Sequence, residues 1–206
     1  MEAMSPDQVK SPRRAQILDE AAQLFAARGF HGVSVDEIGA ASGITGPGLY
    51  RHFRGKDAML AELLVGISER LLAGGRACVA GDAPAAEALD ALVRGHVAFA
   101  IGEPALIVLH DRDLASLPEA EQRTVRRLQR AYVEIWVTVV LEAYPGFGRT
   151  SDGESRARAA VHAVFGLLNS TPHSATRHRG PRPPGPDAMA ELLRTLALGA
   201  FAAAGS

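Results

Sequence analysis

The chain has 206 residues, 47% of them apolar, and 22 Lys and Arg against 23 Asp and Glu, a formal net charge of −1 at pH 7. That length holds one large domain or two small ones, and the charge excludes a nucleic-acid binder that works by bulk positive charge. The lone cysteine, Cys78, excludes an intramolecular disulfide framework, and neither a signal-peptide core nor a run of about 18 apolar residues is present, so a cytoplasmic protein is expected.

Residues 1–10 read as a disordered arm. Ser11-Pro12 starts the first helix, with serine as N-cap and proline at the first helical position. Ile17, Leu18, Ala21, Ala22, Leu24 and Phe25 then recur on one stripe until Arg28-Gly29 closes it. Arg13 and Arg14 in the first turn are either solvated charges or phosphate contacts. Ser34 and Glu37 are spaced as a capping box, with Val33 as the staple residue, which predicts a second helix over about Val35–Ser42. Gly43 ends it where positive φ is cheapest, and Ile44 plugs the core behind the turn. Thr45 caps a third helix over Thr45–Phe53, with Pro47 in its first turn. Leu49 and Phe53 face inward on it, Tyr50 and His52 face outward with Thr45 and Pro47, and Gly48 leaves room for a close approach. Two short helices joined by a tight turn are the layout of a helix-turn-helix, whose second helix enters the DNA major groove. Hydroxyls and helix N-terminal amides suit phosphate oxygens, Arg51 suits phosphate or guanine, and Lys56, opening a fourth helix to about Ala73, suits another phosphate. Residues 1–60 carry seven basic groups (Lys10, Arg13, Arg14, Arg28, Arg51, Arg54, Lys56) and seven acidic ones (Glu2, Asp7, Asp19, Glu20, Asp36, Glu37, Asp57), so binding rests on where the basic groups point.

Gly74-Gly75 and Gly81–Pro84 mark a break. Beyond it, helices are predicted over about Pro84–Ile101, Pro104–Leu109, Pro118–Tyr144, Asp152–Asn169 and Asp187–Ala203, with Ser170–Pro186 as a loop rich in proline, histidine and arginine. The long helix begins with Arg123, Arg126, Arg127 and Arg130, either a solvated basic face or an attraction for an anionic ligand, and ends in an apolar half. The last two helices mix small and apolar residues, which suits either core packing or a subunit interface. No period-two strand pattern and no internal repeat appears.

Residues 12–60 resemble the N-terminal domain of the TetR family of bacterial transcriptional regulators. The matching marks are the Ser34–Ile38 opening, Gly43-Ile44-Thr45, Gly48-Leu49-Tyr50, His52-Phe53, Lys56 and Leu60; Gly39 and Ser42 stand where the family more often has alanine. The resemblance implies an all-α fold, with a helix-turn-helix domain over 1–60 and a ligand-binding and dimerisation domain over 61–206. It implies DNA contacts at Arg13, Arg14, Ser34, Thr45, Gly46, Pro47, Gly48, Tyr50, Arg51, His52 and Lys56. It also implies a homodimer on a palindromic double-stranded operator, joined through Ala159, Ala163, Gly166, Leu167, Leu192, Leu193, Leu196, Gly199 and Ala200. An effector cavity is implied in the second domain, with candidate walls His96, Phe99, Leu106, Leu109, His110, Tyr132, Ile135, Trp136, Val139, Phe165 and Asn169, each also readable as plain core. The function expected is a repressor released by a small lipophilic or acyl-coenzyme A-like effector. The alternative is a helical small-molecule binding protein without operator binding.

Enzyme chemistry has little support in the sequence. His110-Asp111-Arg112-Asp113 occupies consecutive helical positions whose side chains diverge, so surface ion pairing is the expected role. Gly43–Gly48 lacks the lysine and hydroxyl ending of a phosphate loop, His173 and His178 have no acidic or cysteine neighbours, and Cys78 has no evident histidine partner. No catalytic residue, metal site or cofactor is expected.

Overall fold

The computed structural model describes residues 12–149, 151–171 and 184–206. Among these the chain forms nine α-helices and no strand: α1 (Pro12–Arg28), α2 (Val35–Ala41), α3 (Gly46–Leu49), α4 (Lys56–Cys78), α5 (Ala85–Gly102), α6 (Pro104–Asp113), α7 (Glu119–Ala143), α8 (Gly153–Leu168) and α9 (Pro186–Ala204). Short 3-10 turns follow α6 (Leu114–Ser116) and α7 (Pro145–Arg149). The expected arm and positions 172–183 of the expected loop lie outside the described residues. No single helix among those described is long and apolar enough to cross a membrane.

The stripe of α1 is buried as its spacing requires: Ile17, Leu18, Ala21, Ala22 and Phe25 lie in one core with Ile38, Leu49 and Phe53 above and Met59, Leu60, Leu63 and Leu64 of α4 beside them. That core does not stop at the N-terminal helices. Ala105, Leu106 and Leu109 of α6 belong to it, as do Leu117 and Val125, because α6 packs across α1 and α4. A second core joins Leu89, Leu92 and Val93 of α5, Tyr132, Trp136 and Val140 of α7, Val161, Val164 and Leu168 of α8, and Phe201 of α9. Arg194 of α9 pairs with Asp90 of α5 at 2.6 Å, and Arg158 of α8 with Glu134 of α7 at 2.5 Å; both lie at the surface and add little to stability.

Three elements differ from their sequence reading. The fourth helix does not end near Ala73; it runs through Gly74-Gly75 to Cys78. A Cβ on Gly75 would stand 2.8 Å from the Tyr132 ring, so this glycine serves the close approach of α4 to α7 and not a break. The third helix is short, Gly46–Leu49 only, because two glycines and a proline in four residues give little propensity to propagate; residues 50–53 continue as a turn bonded back to Gly48 and Leu49. The helix expected to stop at Leu109 continues to Asp113. The 60/61 division expected from sequence falls inside the unbroken α4.

Candidate nucleic-acid interface and ligand cavity

The interface is built from local capping. Ser34 Oγ accepts from the Glu37 amide at 3.2 Å while Glu37 Oε2 accepts from the Ser34 amide at 2.8 Å, which completes the box that starts α2. The Ser34 amide and hydroxyl, then Arg28, hold the Glu37 carboxyl down to about 2. Gly43 turns the chain with φ +66°, a conformation that costs other residues about 1 kcal/mol or more. Thr45 Oγ1 then accepts from the Gly48 amide at 3.3 Å and starts α3. Gly39, a departure from the family pattern, has a reason here: a Cβ would lie 3.0 Å from the Ile44 carbonyl oxygen.

The outward face follows. Tyr50 is 59% exposed, Pro47 and Arg51 are exposed, Thr45 and Ser34 are exposed, and Gly46, Gly48 and His52 are half-buried; Leu49 and Phe53 are buried beneath them. The basic residues are engaged differently from their outward-facing expectation. Lys56 Nζ donates to the carbonyls of Phe30 and Val33, both at 3.1 Å, and lies 4.6 Å from the centre of the Phe30 ring. It braces the loop between α1 and α2. Arg14 donates to the His52 carbonyl at 2.6 Å, pairs with Glu62 and sits 4.0 Å over the Phe53 ring, so it fixes the turn after α3. Arg13 donates to the Gly43 carbonyl at 3.2 Å and to Gln16 at 2.8 Å. Arg51, next to Tyr50, and Arg54 are left exposed after α3.

Between α4, α5, α6, α7 and α8 lies a cavity of about 260 Å3, near the lower end for small-molecule sites. Seven of the expected wall residues line it: His96, Phe99, Leu106, His110, Tyr132, Phe165 and Asn169. Four do not. Leu109 is fully buried in the core shared with α1. Trp136 is fully buried behind the wall, its ring 5.0 Å from Phe165 and 6.3 Å from Phe201. Ile135 and Val139 sit round α7 on the side away from Val133 and line a separate surface groove. Sequence reasoning missed Ile67, Ser68 and Leu71 of α4, Ile107 and Asp111 of α6, Gln129 and Val133 of α7, and His162 of α8. Ser68, a hydroxyl inside the apolar stripe of α4, was the available signal; it donates to the Leu64 carbonyl at 2.7 Å.

His96 is the polar centre of the cavity. Its ring stacks on Phe165 at 4.7 Å and on Tyr132 at 5.9 Å. With the proton on Nε2 it donates to Asn169 Oδ1 at 3.1 Å, and Nδ1 accepts the Tyr132 hydroxyl at 3.3 Å. Burial pushes His96 down to about 4, with the Asn169 hydrogen bond pulling the other way, and burial pushes the Tyr132 phenol up. His96, Tyr132 and Asn169 therefore form a neutral, mutually satisfied set at its centre; Asp111 is the carboxylate of the lining, and no lysine or arginine is among the residues that line it. The basic stretch of α7 lies outside: Arg123, Arg126, Arg127 and Arg130 are all exposed.

The depressed His96 value has a consequence for stability. Between pH 6.5 and about 4 the unfolded chain takes up a proton there that the folded chain refuses. Stability from this site is complete above pH 6.5 and falls as pH drops, by roughly 3 kcal/mol at the acid end. Urea unfolding of His96→Gln is expected to show a shallower loss over that window than the parent; equal slopes would overturn the assignment.

Asp113, expected to pair at the surface, is instead 5% exposed and bonded to Arg112. Ala159, Ala163 and Gly166 of α8 and Leu192, Leu196, Gly199 and Ala200 of α9 are exposed, and Leu167 is half-buried. Leu193 is not part of that surface: it is 5% exposed and turned into the second core. Leu192 and Leu196, one turn apart and each 46% exposed, are two of the four large apolar side chains left exposed among the described residues.

Comparison with known proteins gives the family. Residues 17–63 match the family described as bacterial regulatory proteins, tetR family, and residues 82–173 match the tetracyclin repressor-like C-terminal domain. The chain is 32% identical over 169 residues to the HTH-type transcriptional repressor KstR2 of Rhodococcus jostii, covering 82% of this chain and 80% of that protein. It is 30% identical over 177 residues to KstR2 of Mycobacterium tuberculosis, covering 84% of each. Among solved structures, a TetR-family transcriptional regulator from Bordetella parapertussis superposes with a TM-score of 0.77 at 23% identity, over 91% of this chain and 95% of that one. The ketosteroid transcriptional regulator KstR2 of M. tuberculosis superposes with a TM-score of 0.70 at 25% identity, over 92% and 94%.

Proposed function

The chain belongs to the TetR family of bacterial transcriptional regulators, and from that premise we propose that it is a homodimeric repressor whose α2–α3 surface reads an operator and whose cavity takes the effector that releases it. The observation that carries this is the exposed Tyr50 beside Arg51 on a doubly capped helix-turn-helix, where neither side chain serves the core. One such surface reads few base pairs, so two must be held at half-site spacing. The α8–α9 face exposes small and apolar side chains, Leu192 and Leu196 among them, and offers the two-fold contact. Residues 1–60 supply the reading head and 61–206 the dimer and effector functions.

The KstR2 relatives, which cover most of this chain, are described as transcriptional repressors, and a solved KstR2 as a ketosteroid transcriptional regulator; a match over 32% of the chain is to a transcriptional activator, FasR. The cavity of this chain fits an uncharged, mainly apolar molecule, because a carboxylate or phosphate inside it would meet neutral His96 and the Asp111 carboxylate, with no lysine or arginine in the lining. An acyl-coenzyme A effector would place only its acyl part there. In a mobility-shift assay with the DNA upstream of its own coding sequence, a discrete complex is expected that weakens with salt, by about 0.9 log units per log unit of salt for each phosphate neutralised. A salt-independent complex, or none on any duplex enriched from a random library, would overturn the reading. The same enriched duplex separates the repressor from a helical binding protein that ignores DNA.

A further inference from the structure

Resting on the reading of the cavity as the effector site, we propose that Arg112 is the positioning residue that couples occupancy of the cavity to the helix-turn-helix. It lies on α6, a ten-residue helix set off from α5 by an 88° bend and released at its other end into a 3-10 turn. One side of α6 presents Ile107, His110 and Asp111 to the cavity. From the next position, Arg112 reaches the other way, into the C-terminal turn of α1. Its Nη1 donates to the Ala26 carbonyl at 3.2 Å and its Nη2 to the Phe25 carbonyl, while the buried Asp113 carboxylate holds the guanidinium at 2.9 Å from Nη2 and 3.2 Å from Nε.

The chemistry suits a grip. The last carbonyls of a helix carry partial negative charge and lack intrahelical donors, and the planar fork of arginine reaches two at once. The Phe25 oxygen also accepts the Gly29 amide at 2.7 Å, so Arg112 holds the atom on which α1 turns towards α2. The segment after α6 adds a second link, Ser116 Oγ to His31 Nε2 at 3.2 Å. A molecule that enters the cavity presses Ile107 and His110 outward; α6 shifts between the bend at its start and the 3-10 turn at its end, and Arg112 carries α1, with α2 and α3, along. The alternative route is α4, which also lines the cavity and packs under α1 through apolar contacts.

The test needs no identified effector. Val133→Trp builds an occupant into the cavity from α7, a wall that belongs to neither α4 nor α6. Operator affinity is measured by fluorescence anisotropy, on the duplex enriched from a random library by the unaltered full-length protein, for the parent, V133W, R112Q and the double variant. V133W is expected to weaken binding by about tenfold or more in the parent and by less than about threefold in the R112Q background, with Arg112→Lys intermediate because it keeps the charge but not the fork. R112Q alone is expected to bind within about threefold of the parent, since the coupling and not the reading head is cut. Equal V133W losses with and without Arg112 overturn the proposal and leave the cavity reading intact, with α4 as the carrier. No V133W effect in the parent overturns the cavity reading and this proposal with it. Loss of operator binding in R112Q alone makes Arg112 a strut and also overturns it. Thermal melts accompany each variant, and Val133→Phe is the smaller occupant if V133W does not melt cooperatively.

Discussion

Replacing Tyr50 with alanine is expected to weaken operator binding about a hundredfold while leaving the melting temperature nearly unchanged. The side chain is 59% exposed at the C-terminal cap of α3, so the fold loses almost no burial with it. On DNA it gives an aromatic surface and a hydroxyl suited to a phosphate oxygen. A charge-assisted hydrogen bond of that kind is worth about 1.5 kcal/mol, and two-fold symmetry doubles it to about 3 kcal/mol, or about two orders of magnitude in Kd. Tyr50→Phe isolates the hydroxyl. Neither variant removes a charge, so the salt dependence of Kd is expected to keep its slope, whereas Arg51→Ala is expected to lower that slope by about 2 per dimer if it meets one phosphate per half-site. Anisotropy titrations at several salt concentrations read all three. An unchanged Kd for Tyr50→Ala would remove α3 from the DNA interface.

The second large effect is expected from Leu192→Glu combined with Leu196→Glu. Both leucines are 46% exposed in the single chain, while the neighbouring Leu193 and Ala197 carry the packing of α9 against α5 and α8. The subunit should keep its helicity, yet four carboxylates would face one another across the two-fold axis without partners. Sedimentation velocity is expected to show a monomer. Operator affinity should fall by about a thousandfold, because the second half-site is then no longer bound at high effective concentration. A dimer that persists would move the subunit contact away from α8 and α9.

The two cores explain why ligand and DNA functions need not be separate modules. Leu106 and Leu109 of α6 are packed with Ile17, Phe25 and Leu64, and Leu106 also lines the cavity. A wall of the proposed effector site is thus part of the core beneath the helix-turn-helix. Packed cores of this kind respond by discrete repacking and not by continuous deformation, and a ligand shifts the balance only by its differential affinity for the two arrangements.

Much of the reading head was legible in the sequence. The box of Ser34 and Glu37, the positive φ of Gly43 and the cap of Thr45 each act over four residues or fewer, so residue type and spacing determine them. The outward role of Tyr50 followed from the inward register of Leu49 and Phe53. Lys56 was legible as a cation at a helix start but not as a brace, since its acceptors are the carbonyls of Phe30 and Val33, more than twenty residues back in the chain. The cavity was legible only in part. Apolar residues surround much of α7, and no periodicity distinguishes Trp136, sealed in the core, from Tyr132, one turn away at the cavity wall.

What the sequence by itself determined is the all-α family and the helix-turn-helix, because caps, turn glycines and apolar periodicity are local and nearly independent of the rest of the chain. The tertiary structure alone decided which leucine of α9 faces solvent, that Gly75 seats α4 against the Tyr132 ring, and that Arg112 holds the end of α1. Each of these depends on the angle at which two helices distant in sequence meet, and that angle is set by the summed packing of every side chain between them.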